Sequence, residues 1–247
     1  MTPAKRSAKP SLRPRFRRDT RSTVFAAASL GLLSLIAVGC SAVVVLPPEP
    51  LPEENVEPPG QVALPELIPT NVAPPQVEWT DEVDFSALRE GYGRRVDFSA
   101  RCEDPELRTR AGEALLADDL AEADRLTGML LARCPVDPSL HLWRFATLLA
   151  LDRAPEGNLH RRWYLGLIES ILKTGDGASS GTPFVTISTL EEYAVLSHLG
   201  LTPEQQLLVE GSPRLDAIRA RDDAGVWTVV YFNPALHFLR MNGIFAE

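Results

Sequence analysis

The sequence predicts an α+β fold in which helical hairpins are followed by a small, mostly antiparallel sheet with flanking helices. Three observations predict it. Between residues 104 and 174, apolar side chains recur at helical spacing and are punctuated by Asp-Pro start signals. Beyond residue 183, short runs rich in β-branched and aromatic residues take over. Two of those runs are joined by Asp222-Asp223-Ala224-Gly225, which is turn chemistry.

The elements follow in order. Asp104-Pro105-Glu106 is an N-cap with proline at the first helical position, so a helix runs to about residue 116. Asp119, with Glu122 three residues on, starts a second helix that ends near Arg133, before Pro135. Asp137-Pro138 opens a third, to about residue 151, with Leu140, Trp143, Leu148 and Leu151 on its apolar face. Asn158 is expected to cap a fourth over residues 159–174, closed by Gly175 in a left-handed C-cap. Residues 183–187 read as a strand. Ser188-Thr189-Leu190-Glu191 reads as a capping box for a helix closed by Gly200, and Thr202-Pro203-Glu204-Gln205 as another, opening a short helix. Residues 214–221 and 226–232 then form a β-hairpin.

The N-terminal part is organised differently. The first 21 residues carry eight Lys and Arg against Asp19 alone, and an uncharged apolar stretch follows. It closes on Leu35-Ile36-Ala37-Val38-Gly39-Cys40, which resembles the lipobox of bacterial lipoproteins. The resemblance implies that residues 1–39 are a signal peptide and that Cys40 becomes the lipidated first residue. An uncleaved span over residues 24–46 is the rival, being long enough to cross a bilayer. Either reading places the rest of the chain outside the cytoplasm, because the basic block stays on the inner side. Ser41 after the cysteine resembles the outer-membrane default of enteric-type lipoproteins, so in an envelope with two membranes the outer is favoured over the inner.

Ten prolines and several glutamates between positions 47 and 75, with no Lys or Arg, make residues 40–77 an extended acidic tether. Residues 78–247 are left as one globular domain, helical over 78–175 and α/β over 176–247. The whole chain has 25 Lys and Arg against 33 Asp and Glu; without residues 1–39, 17 face 32. A chain this acidic is a poor nucleic-acid binder. The expected partners are therefore the membrane, through Cys40, and an envelope protein.

Cys102 precedes the first of these helices and Cys134 follows the second, so a helical hairpin brings them together. A disulfide is the leading reading, permitted by an oxidising compartment. Free buried thiols, or a redox or metal role, are the alternatives. Four histidines are present, none paired at metal-ligand spacing. His160 sits on an expected solvated helix face, and His198 near a helix C-terminus. No nucleophile elbow, phosphate loop or dinucleotide fingerprint occurs, so neither a catalytic set nor a cofactor is expected. The weak ligand-binding candidates are Asp176, in the loop Thr174-Gly175-Asp176-Gly177-Ala178-Ser179-Ser180-Gly181-Thr182, and Glu192 and Tyr193. Glu191 and Glu192 are adjacent on a helix, so they point apart and form no dyad. Glu191 is better placed as a cap.

Two further resemblances are carried by short strings. Leu120-Ala121-Glu122-Ala123, with Pro135 beyond, resembles part of a tetratricopeptide-type hairpin. Asp84-Phe85-Ser86-Ala87-Leu88-Arg89 with Tyr92 forms one of three segments of a wider pattern. Thr174-Gly175-Asp176-Gly177, Phe184-Val185-Thr186-Ile187, Glu191-Glu192-Tyr193, Leu199-Gly200-Leu201 and Gln205 form the second, and Tyr231-Phe232-Asn233 the third. Together they resemble a bacterial family of secreted or lipid-anchored proteins of unknown function, over about residues 82–235. The resemblance implies a helical first half, a small α/β end and an envelope location, and no activity. The expected function is that of a non-catalytic envelope lipoprotein presenting an interaction domain. A small envelope hydrolase or ligand-binding enzyme working at the Gly175 to Thr182 loop is the alternative.

Overall fold

A computed structural model describes residues 65–80, 82–211 and 213–244. Cys40, the expected signal peptide over residues 1–39 and the first part of the expected tether lie outside the described residues. The fold is α+β. It begins with α1 (Phe85–Gly93), α2 (Phe98–Cys102), α3 (Pro105–Leu116), α4 (Leu120–Arg133), α5 (Pro138–Ala150) and α6 (Ala154–Leu172). Next come β1 (Phe184–Val185), α7 (Thr189–His198), β2 (Thr202–Val209), β3 (Leu215–Arg221), β4 (Trp227–Asn233) and α8 (Ala235–Ile244).

The aspartate caps form as the sequence predicts. Asp104, Asp119 and Asp137 accept the backbone N–H of Leu107, Glu122 and Leu140 at 3.0, 3.2 and 3.1 Å. Each satisfies one of the donors that a helix start leaves free. Asp84 does the same for α1, accepting from Ala87 at 3.0 Å. Leu126, Leu130, Leu131 and Leu140 bury the apolar stripes of α4 and α5 against Ala111 of α3. The Cys102–Cys134 disulfide ties the end of α2 to the residue after α4.

The sheet runs β1-β4-β3-β2. Its pairs are antiparallel except β1–β4, which are parallel, with Phe184 opposite Phe232 and Val185 opposite Asn233. One face carries Ile218, Ala220, Val230 and Phe232. They pack on Ile168 and Ile171 of α6 and on Val195 and Leu196 of α7. The β3–β4 turn is held by Asp222, whose Oδ1 accepts from Ala224 and Val226 at 2.9 and 2.8 Å, with Gly225 at φ 82°.

Several local expectations are corrected. The fourth helix starts at Ala154, with Pro155 in its first turn and Arg153 at the N-cap position, so Asn158 lies inside it. Gly175 is no left-handed cap; a Cβ there would stand 2.4 Å from the Pro183 carbonyl oxygen, so close approach demands the glycine. The Ser188 side chain makes no cap bond. The strand expected over 183–187 is paired only at Phe184–Val185. Thr202-Pro203-Glu204-Gln205 opens β2 instead of a helix. β2 is an edge strand with an irregularity between Pro203 and Gln205, the setting in which a sheet tolerates proline.

The end of the proline-rich segment lies against the domain. Ile68 donates to the Arg94 carbonyl at 2.7 Å and accepts from Val96 at 3.0 Å, forming a parallel bridge with Arg95. Buried Arg95 donates to the Val72 carbonyl at 2.9 Å and pairs with Asp97 at 2.8 Å. The Trp79 ring packs on Trp163, His141 and His160. Residues 68–80 thus belong to the domain surface, and a free spacer would end before them. Among the described residues no helix is long and apolar enough to cross a membrane.

Candidate functional site

A cleft of about 1200 Å³ opens where the two parallel strands end. β1 brings Val185 and β4 brings Asn233, and the chain then continues as Ile187 and as α8. Ser86, Arg89 and Glu90 of α1 form one wall, with Ser170 of α6 and Thr174 just beyond it. Leu236, Phe238, Leu239 and Asn242 of α8 form another. Gly211, Pro213 and Arg214 from the β2–β3 connection, and Pro65, complete the rim. Crevices outside the carboxyl ends of parallel strands are where open α/β sheets hold ligands. The volume is ample for a ligand of more than drug size.

Arg89 organises this region. It is 5 % exposed and donates from Nε and Nη2 to the two oxygens of Glu191, both at 2.7 Å. Nη2 also reaches the Val185 carbonyl at 3.1 Å, and Nη1 reaches Ser170 Oγ at 3.3 Å. One side chain of α1 therefore ties together α6, β1 and α7. Glu191 also accepts the Ile187 N–H at 2.9 Å, so its carboxylate serves Arg89 and the preceding loop in place of the expected capping box. Thr174 Oγ1 accepts from the Val185 N–H at 2.7 Å. The outer edge of β1 is thus satisfied by Arg89 and Thr174, where another strand would otherwise pair.

Beneath the sheet face, Glu192 is fully buried and receives the Thr186 hydroxyl at 3.3 Å. Burial, reinforced by the Asp216 carboxylate beside it, pushes its pKa up to about 8. Its Oε2 has no donor partner. The physical reading is a carboxylic acid that keeps its proton at neutral pH. Glu192 is absent from the cleft lining and has no route to a substrate there. Tyr193 points elsewhere, 45 % exposed, with its hydroxyl on Gln206 at 3.1 Å. Asp176 is exposed and organises its own loop, accepting from the Ala178 N–H at 2.9 Å and from the Thr182 hydroxyl. Those bonds, the Thr182 one foremost, hold its carboxyl below the usual range. The structure does not bring Asp176, Glu192 and Tyr193 together.

Other polar groups escaped the sequence reading. His160 is buried rather than solvated. Arg144 Nε donates to its Nε2 at 3.1 Å, and its Nδ1 meets His141 Nδ1 at 3.0 Å. His141 Nε2 meets the Pro135 carbonyl at 2.9 Å. A carbonyl can only accept, so the proton direction is set along the whole chain, from Arg144 through His160 and His141 to Pro135. Burial lowers the two pKa values to about 4 and about 3, leaving both rings neutral. Arg240 of α8 is buried over the Phe98 ring, 4.2 Å from its centroid, and donates to the Gly93 and Ile187 carbonyls. The arginines and histidines sit at irregular spacings, and no local pattern couples them. Among the described residues no cluster of His, Cys, Asp or Glu could hold a metal ion.

Residues 85–237 match the family described as a domain of unknown function, DUF4919. No curated protein and no solved structure matches the chain. Ser86 and Arg89, then Thr174, Val185 and Ile187, then Asn233 come from the three separated segments that the sequence pattern singles out, and all of them line the cleft.

Proposed function

The chain belongs to the DUF4919 family, and we propose that it is an extracytoplasmic recognition protein, held on a membrane by lipid on Cys40, that binds its partner in the cleft between α1, β1 and α8. One observation carries the reading: three segments far apart in sequence converge on a single open cleft, while the ionisable groups around it are engaged with one another. A catalytic acid or nucleophile needs a free reactive atom facing the substrate. Arg89 and Glu191 face each other, and Glu192 is sealed under the sheet. Such a site is built to hold shape.

Two experiments test it. Growth with radioactive fatty acid should label the wild type and leave Cys40→Ala unlabelled; an unlabelled wild type sinks the lipid anchor. A photo-crosslinking residue at Asn242, on the cleft wall, should capture a defined partner in intact cells. The same residue at Leu116, 92 % exposed at the end of α3, should not. Equal capture at both positions, or none at Asn242, overturns the cleft as the recognition site.

A further inference from the structure

We infer that the cleft takes an uncharged, extended stretch of polypeptide, an inference that rests on the cleft being the recognition site. The first argument is charge. The ionic groups at the cleft are matched in pairs: Arg89 with Glu191 at 2.7 Å, Arg214 with Glu210 at 3.2 Å, and Glu90 with Arg94 at 3.6 Å. A ligand carboxylate or phosphate would find the Arg89 charge already met by Glu191 and would be desolvated for little return.

The second argument is a count of donors. A guanidinium has five N–H groups. Arg89 has four of them on Glu191, Ser170 and Val185, so one Nη1 N–H is left among the described residues. Asn233 Oδ1 accepts from the Ala235 N–H at 3.1 Å, which fixes the amide and leaves its Nδ2 donors for a ligand. An amide donor and a guanidinium N–H whose charge Glu191 already offsets, set beside apolar Leu236, Leu239 and Phe238, suit backbone carbonyls flanked by apolar side chains. Extended polypeptide already meets the rim in this structure. Pro65 of the proline-rich segment lines it, and the next carbonyl along, that of Glu66, is taken by Arg94 Nε at 2.8 Å.

The test uses hexapeptides of Gly, Ala, Val, Leu and Phe, acetylated and amidated so that no terminal charge remains. Their competitors are the same peptides with free ends, and chitohexaose. The readout is the NMR shift of the Asn233 and Asn242 side-chain amides. Capped peptides should shift both amides, with an affinity that changes less than about twofold between 50 and 500 mM NaCl because no ion pair is screened. Asn233→Asp keeps the oxygen that accepts from Ala235 and loses the Nδ2 donors. It should bind capped peptide about tenfold more weakly, the equivalent of one hydrogen bond, with an unchanged melting temperature. Chitohexaose or free-ended peptides shifting the amides where capped peptides do not would overturn the polypeptide class and leave the cleft standing. Silence from every probe also overturns the class, and capture at Asn242 then decides the cleft by itself.

Discussion

Glu192 and the two histidines give this fold opposite responses to pH. Glu192 has a folded pKa near 8 against an ordinary glutamate value of 4.5. Between those values the folded state holds a proton that the unfolded state has lost, so stability falls as pH rises from 4.5 toward 8. Glu192→Gln, which keeps the shape of the side chain and removes the titrating group, should flatten that slope and raise stability at pH 7 by about 3 kcal/mol at most. His141 and His160 act in reverse. Their folded pKa values of about 3 and about 4 lie below the ordinary 6.5, so the unfolded state takes up protons first as pH falls. The stability they contribute is complete above 6.5 and drains away toward pH 4. His160→Gln should flatten the acid limb of a urea-unfolding series; an unchanged limb would remove the histidine chain as its cause. None of this was legible in the sequence. His160 precedes Arg161 and Arg162 and looks solvated, and only the fold places His141 and Trp79 against it.

At the scale of elements, legibility tracked how far apart the partners lie in the chain. Asp104, Asp119 and Asp137 cap donors three residues away, so their helices could be read from the sequence. Glu191 looked equally local, yet its carboxylate is claimed by Arg89, 102 positions earlier. A short motif cannot register such a competitor. Likewise Thr202-Pro203-Glu204-Gln205 satisfies a helix-start pattern, and pairing with β3 overrides it. The Arg89–Glu191 pair makes a sharp prediction. Arg89→Met leaves a buried carboxylate without its cation and should cost about 3–5 kcal/mol. Arg89→Met with Glu191→Leu removes both charges and should recover most of that loss. A double variant as unstable as the single one would mean that shape, rather than charge pairing, holds α1 to α7. Gly166, on α6, adds a packing test of α1 against that helix. A Cβ there would stand 2.1 Å from the Phe85 ring, so Gly166→Ala should push α1 off α6 and cost about 1–3 kcal/mol in thermal or urea unfolding.

At the scale of the whole molecule, the domain boundary lies further toward the N-terminus than composition suggests. Proline-rich, acidic sequence signals an extended chain, and from Ile68 the chain is extended but bound. Its anchors are residues that composition hides: Ile68 bridged to Arg95, the Val72 carbonyl on the Arg95 guanidinium, and Trp79 on the aromatic face of α5 and α6. Trp163 Nε1 donates to the Thr80 carbonyl at 3.1 Å and closes the run. Losing that run would expose His141 and Trp163, both now buried, and would leave the Arg95 Nη1 donor and the Trp163 N–H without their acceptors. A chain starting at Pro65 should therefore unfold at the same urea concentration as one that keeps the proline-rich residues before it. A chain starting at Glu82 should lose about 2–4 kcal/mol, from one partly buried tryptophan and two orphaned donors. The Cys102–Cys134 bridge lies within both truncated chains, so reduction should lower each by a similar amount, about 4 kcal/mol in the loop-entropy model. Equal stability of the two truncated chains would return residues 68–80 to the spacer; the expected gap makes them the outermost structural layer of the domain on its N-terminal side.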